Sequence, residues 1–371
     1  DYLLSQGYEM HNPWENAANT ATKKSGLKCS GWEMRNAHLP SDIEAKHSET
    51  AFLTNRAMDY ISTRNKDTPW CLHLSYFNPH WPLLAPSPYH KMYNQGDVIG
   101  VVKDEIEMKN PHPVFSAFQQ LEYSQNYTDE KKRRHVIPTY MGLISEIDHH
   151  IGRLISFLDT NNLSENTVII FTSDHGDYLG DHWLGEKDLF HEPSIRIPLI
   201  IVEPKMPINL RGTSEKRMVE SVDIVPTIVE TMGGSYANNR MEGRSLVPLL
   251  FGDSPAWRDT VFAEIDYSDR GARQVLDKHP YECRGYMIKN TYWKYIYWEG
   301  HRAQLYDLLN DPNEFNDLAE NHDQSERLED FEKQLFSWLR NRKQRTVVEL
   351  DELYKRSPEA DERAGIIIGR W

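Results

Sequence analysis

Four consecutive residues, Asp174-His175-Gly176-Asp177, set a carboxylate, an imidazole and a backbone hinge side by side, and Lys187 follows thirteen residues after Asp174. A hard carboxylate next to an imidazole suits a divalent cation. A lysine returning to the same place suits the anionic oxygens of an ester, which it binds as a point charge. A second stretch, Asn78-Pro79-His80-Trp81-Pro82, brackets one histidine with prolines that restrict the backbone on both sides. Histidine titrates near neutral pH, so His80 can donate to a leaving oxygen or bind the same oxygens as Lys187. A cation held by Asp174 and His175, with Lys187 and His80, would supply neutralised oxygens on a bound anion and a titratable group beside it. An isolated Asp-His pair is more often an ordinary surface loop, and a lone histidine is more often structural. The elements that carry these residues tilt both toward chemistry.

An apolar run, Val168-Ile169-Ile170-Phe171, leads into the first site and reads as a strand buried on both faces. Pro69–Phe77, PWCLHLSYF, reads as a second buried strand, with Cys71 in the core, and discharges into the His80 loop. In an open α/β sheet, ligands bind just beyond the carboxyl ends of the strands, so both sites are expected at one rim. A helix is expected from about Ser48 to Thr63, with Ala51, Leu53, Ala57, Met58 and Ile61 on its apolar face. Tyr140, Leu143, Ile144, Ile147, Ile151, Leu154, Ile155 and Leu158 mark a longer helix feeding the 167 strand, a helix-to-strand step of a doubly wound sheet. His149 and His150 on it diverge by ~100°, so they make a poor metal pair and read as a partly solvated face.

Residues 1–45 read as polar excursion loops, and 94–138 as a polar insertion that shapes a pocket. Ile197–Val202 is a further apolar strand. Asp223 then reads as a helix N-cap, with Pro226 in the first turn and Gly233-Gly234 as the stop. From about Val261 the pattern changes to an aromatic hairpin, Tyr286–Lys289 with Trp293–Trp298, followed by a strand at Leu305–Leu308. Asp311-Pro312-Asn313-Glu314 reads as a capping box, and Leu328, Phe331, Leu335 and Trp338 as one face of an amphipathic helix.

The totals exclude several classes. A net charge of −14 argues against a nucleic-acid partner. No apolar run approaches the ~20 residues of a membrane span. Three cysteines, Cys29, Cys71 and Cys283, make no disulfide framework and fit no zinc spacing, so the expected compartment is reducing and cytoplasmic. Asp1-Tyr2-Leu3-Leu4 has no initiator methionine, basic region or cleavage site, and reads as the middle of a longer chain rather than a signal peptide.

Taken in order, Ser173-Asp174-His175-Gly176-Asp177, Leu179-Gly180-Asp181-His182, Lys187 and Arg196-Ile197-Pro198-Leu199-Ile200-Ile201 resemble the sulfatase branch of the alkaline phosphatase superfamily. Within it, the chain is most similar to phosphonate monoester hydrolases and their arylsulfatase relatives. The His80 stretch resembles the family's PHxP-type motif, whose histidine contacts the transferred group or leaving oxygen. Pro86–Tyr93 continues the likeness as a structural strap, with His90 uninvolved. His182 is expected to be a loop residue behind the site.

The resemblance implies an α/β fold: an alkaline-phosphatase-like central sheet flanked by helices, with a smaller C-terminal antiparallel β subdomain and a C-terminal helix. The boundaries it suggests are 1–252 for an N-terminally incomplete catalytic domain, 253–320 for the β subdomain, and 321–371 for the amphipathic helix and an oligomerisation tail. It also implies a Mn2+ or Ca2+ ion, a small anionic ester as substrate, and a homo-oligomer, dimer or tetramer. The extended tail and the Tyr267–Arg273 region favour phosphonate or phosphate esters over the first alternative, a sulfuric ester. A metal-dependent mutase or transferase would be expected to show further histidine and aspartate ligands, and would leave Lys187 without a role.

The family's nucleophile is a formylglycine matured from C/S-x-P/A-x-R, placed before all these motifs. None of the three cysteines fits that pattern. Ser254-Pro255-Ala256-Trp257-Arg258 fits formally but lies after the metal loop, and its position marks it as a chance match. Formylglycine and a further metal acid are therefore expected in a missing N-terminal part. The chain by itself is expected to be inactive, and a non-catalytic binding protein is the remaining alternative.

Overall fold

Ser48 opens the first long helix. Its hydroxyl accepts from Ala51 N at 3.1 Å, and helix α1 then runs Glu49–Ser62. Its buried face differs from the apolar one expected: Thr50 and Thr54 join Ala51, Ala57 and Ile61 inside. The threonines are satisfied there, because Thr54 Oγ1 donates to Thr50 O at 2.7 Å and lies 2.8 Å from the Tyr76 hydroxyl.

The computed structural model describes residues 1–8, 11–65, 68–237 and 239–342. They fall into two compact units: Asp1–Ile200 with Tyr267–Pro280, and Ile201–Asp266 with the chain from Tyr281 onward. The boundary expected near Gly252 falls inside the second unit. The expected tail at 365–371 lies outside the described residues.

In the first unit, the loops expected over 1–45 contain a small antiparallel hairpin, β1 (Thr20–Thr22) with β2 (Lys28–Ser30). The stretch 94–138 is more ordered than its polarity suggests. It holds α2 (Pro113–Gln119) and α3 (Glu122–Thr128), which bury Val114, Phe115, Ala117, Phe118 and Tyr127. Helix α4 runs Glu130–Thr160, ten residues earlier than its apolar stripe begins, because the Asp129 carboxylate caps it by accepting from Lys131 N and Lys132 N. Val136 and Leu143 on α4 pack with Ala37, Leu83, Ala85 and Tyr89 as one core cluster. A Cβ on Gly142 would lie 2.3 Å from Tyr89 O, so the bare glycine backbone is what lets the 86–93 strap lie against the helix. His149 is exposed as expected, but His150 is buried, with its Nδ1 2.9 Å from Arg153.

Two expectations about strands are corrected. The 167 run forms β3, Ile169–Thr172, beside β4, Leu199–Val202, in a two-stranded sheet. Phe171 is 38% and Ile200 59% exposed, so neither strand is buried on both faces. Residues 69–77 enter no ladder among the described residues, and Cys71 is exposed rather than in the core. The physical reason is shared. A strand is buried on two faces only when neighbours pave both, and among the described residues this sheet has two strands.

In the second unit, Asp223 precedes α5, Ile224–Thr231, and Gly233 at φ +76 follows its end. Strands β5 (Val261–Asp266), β6 (Arg284–Lys289), β7 (Trp293–Trp298) and β8 (Gln304–Asp307) make one antiparallel sheet in sequence order. Its register sets Ile288 opposite Tyr295 and Tyr295 opposite Leu305. Helix α6, Ser325–Arg340, buries Phe331 and Leu335 on that apolar face, at about 1.5–3 kcal/mol for each side chain removed from water. The capping box expected at 311–314 is a turn instead. Glu314 takes φ +57 and sends its carboxylate to the Lys294 ammonium, where both side chains are almost wholly buried.

Candidate active site

Asp174 and His175 follow directly on β3, in the turn that the strand's end creates. Gly176 pins this turn: its N–H donates to Ser194 O at 2.7 Å, and a Cβ there would stand 1.9 Å from Pro193 O. Any side chain at 176 would push the loop off the segment beneath it. Ser173 Oγ closes the turn by donating to His175 O at 2.8 Å.

The hydrogen bonds assign the ring protons. His175 Nδ1 is 2.7 Å from Gly176 O; a carbonyl only accepts, so Nδ1 carries a proton, and in the neutral ring Nε2 then has the lone pair that a cation would take. That lone pair lies 3.6 Å from Asp174 Oδ2, on a carboxylate that is largely exposed. Two electron-pair donors facing one another is an arrangement that a divalent cation satisfies. The fit is partial, because no group of three metal-binding His, Cys, Asp or Glu side chains occurs among the described residues.

Lys187 returns to this rim. Its Nζ donates to His80 Nε2 at 2.7 Å and to Glu186 Oε2 at 2.9 Å. Since an ammonium only donates, His80 Nε2 is the acceptor and the proton sits on Nδ1, 3.3 Å from Trp81 O. The His80 ring lies against His175 with centroids 6.0 Å apart, and against Phe77 at 5.1 Å. The structure therefore brings His80, Lys187, His175 and Asp174 together as one connected set, although they are up to 107 residues apart in the chain.

Three neighbours were given no role from sequence. Glu186 is the first. Successive side chains of an extended chain point apart, so an acid next to a lysine gives no signal of pairing; here Glu186 adopts φ +62, which turns its carboxylate back onto Lys187. The second is Glu146 on α4, fully buried, whose Oε2 accepts from Asn78 Nδ2 at 3.3 Å, two residues before His80. Burial pushes Glu146 up to about 7, with the Ser48 hydroxyl opposing and Glu49 reinforcing the shift. The third is Asp177, which accepts from Leu179 N at 3.0 Å and is pushed up to about 7, chiefly by burial.

Other expected positions are structural. His182 is buried, with Nδ1 2.7 Å from Glu107 Oε1 and its ring stacked on His191 at 4.2 Å. The formal motif at Ser254 is occupied otherwise: its Arg258 grips the buried Asp223 with both terminal nitrogens and lies 3.3 Å from Glu220.

This order of elements and this site define a sulfatase-type α/β protein, and the comparisons agree. The sulfatase family model matches residues 1–235, and a model for the C-terminal part of N-sulphoglucosamine sulphohydrolase matches 180–342. The chain belongs to the sulfatase family. Among similar proteins, a multifunctional alkaline phosphatase superfamily protein, PehA, from Trinickia caryophylli is 33% identical over 340 residues, covering 86% of this chain and 64% of that protein. An arylsulfatase from Clostridium perfringens is 27% identical, covering 86% of this chain and 63% of its own length. The chain thus spans less than two thirds of either curated relative. Among solved structures, the phosphonate monoester hydrolase of Silicibacter pomeroyi superposes with a TM-score of 0.80 at 25% identity, covering 92% of this chain and 68% of that one. The corresponding hydrolase of Agrobacterium radiobacter gives 0.78 at 26%, covering 91% and 67%.

Proposed function

We propose that this chain forms the anion-holding part of a metal-dependent hydrolase of phosphonate and phosphate esters. The observation that carries the reading is the Lys187 ammonium, fixed between His80 and Glu186 beside the Asp174–His175 pair. An ammonium has three N–H donors. Two are directed to His80 and Glu186, and the third is left for an ester oxygen. His80 accepts from Lys187 at Nε2 and so orients the ammonium; a proton reaching Nε2 would be the one it passes to the leaving oxygen. A divalent cation held partly by Asp174 Oδ2 and His175 Nε2 would neutralise charge on the ester's non-bridging oxygens.

The phosphonate and phosphate reading is supported by the likeness to PehA and to the two phosphonate monoester hydrolases. A sulfuric ester is the second reading, favoured by the sulphohydrolase match over 180–342 and by the arylsulfatase relative. The nucleophile is proposed to be a formylglycine outside this chain, since its cysteines stand in no suitable motif. The assembly is proposed to be a homo-oligomer, and the compartment cytoplasmic.

The test is a panel of aryl phosphonate, phosphodiester and sulfate esters, assayed with the 371-residue chain and with the full-length gene product. The chain is expected to stay at background. The full-length protein is expected to hydrolyse the phosphonate and the diester faster than the sulfate. A reversed order replaces the first reading with the second, and turnover by the chain alone overturns the placement of the nucleophile.

A further inference from the structure

One of the two groups holding Lys187 carries the same charge sign as the ester proposed to bind there. Glu186 is not a chance surface partner. It occupies the left-handed region at φ +62, a conformation disfavoured for any residue but glycine. Its carbonyl accepts from Tyr178 N at 2.9 Å, which fixes the turn. The side chains of Glu186 and Lys187 are each 18% exposed, so solvent and salt screen the pair less than a surface ion pair.

Resting on the reading that Lys187 binds an anionic ester, we propose that Glu186 makes the site discriminate by substrate charge, favouring singly charged esters over doubly charged ones. The Coulomb penalty that a fixed carboxylate imposes on a bound anion scales with the anion's charge. A phosphonate monoester or phosphodiester, with one negative charge, meets this penalty once. A phosphate monoester or a free phosphonate, with two, meets it twice. Lys187 stays oriented in either case, because His80 holds it from the other side. Glu186 thus acts as a specificity-determining residue that need not touch the reacting atoms.

The test uses the 371-residue chain and two matched ligands, phenylphosphonate as the dianion at pH 8.5 and its methyl ester as the monoanion, with affinities measured by calorimetry. Glu186→Gln keeps the shape and removes the charge. It is expected to tighten the monoanion about threefold and the dianion about tenfold, shifting their ratio about threefold. Equal factors for both ligands, or no change, overturn the inference. Glu186→Gly relieves the positive φ as well as removing the charge. If it tightens binding while Glu186→Gln does not, backbone strain is responsible and the charge argument is wrong. Lys187→Ala is expected to lose both ligands. Binding that persists in Lys187→Ala removes the anion site from Lys187, and binding of neither ligand by wild type or Glu186→Gln ends both readings together.

Discussion

Each unit holds a lysine against a glutamate, and the two pairs differ in almost everything else. Lys294 and Glu314 are shut away in the C-terminal sheet with essentially no exposure. Lys187 and Glu186 keep 18% of their side-chain surface open, and the ammonium shares itself with a neutral imidazole. A buried pair must be matched, because a lone charge inside costs several kcal/mol. A half-open one can keep a donor in reserve for a ligand. Enclosure, more than residue type, separates a structural lysine from one available for binding.

The sharpest way to break this contrast is to make one substitution in both places. Lys294→Met should strand the Glu314 carboxylate and lower unfolding free energy by about 3–5 kcal/mol, read by denaturant titration. Lys187→Met should cost less than Lys294→Met, because Glu186 keeps part of its surface in water, while abolishing phosphonate binding. Equal stability losses at the two sites would dissolve the distinction.

Glu146 sharpens the contrast from another side, as a buried carboxyl with no cation against it among the described residues. Its pKa is raised on folding, so its contribution to stability is complete below its unfolded value near 4.5 and is lost as pH rises through about 7. Wild type should therefore lose about 3 kcal/mol between pH 4.5 and pH 8 from this group alone. Glu146→Gln should flatten the melting temperature over that interval, and an unchanged pH slope would show that Glu146 is not the titrating group. Smallest of all, Ser254→Ala should move stability by no more than about 0.5 kcal/mol and leave ester hydrolysis by the full-length protein intact. Its neighbour Arg258 is committed to Asp223, and a large loss of turnover would reinstate Ser254 as a nucleophile.

Local patterns were the most legible part of the fold. The helix after Ser48, the stripe through Leu143 and Leu158, the aromatic hairpin and the face of Phe331 and Leu335 were all visible as periodicity, and each exists. Depth was not legible. Val168–Phe171 and Pro69–Phe77 have the composition of central strands, yet Phe171 and Cys71 are exposed, because apolar composition states a preference and neighbours decide whether it is met. Polarity misled in the opposite direction over 94–138, where Pro113 opens a helix that buries Phe115 and Phe118. At Asp311–Glu314 the local capping signal lost to a tertiary pull, the buried ammonium of Lys294.

What the sequence offered by itself was a set of candidate side chains for chemistry. Residue type and order single out His80, Asp174, His175 and Lys187, since acidity, lone pairs and charge belong to the side chains wherever the chain places them. Only the tertiary structure decided that His80 Nε2 meets Lys187 Nζ at 2.7 Å, and that Glu186 turns back to share the ammonium. The first contact depends on two segments 107 residues apart converging, and the second on one residue entering the left-handed region. Neither a distance in space nor a disfavoured dihedral is written in local propensity.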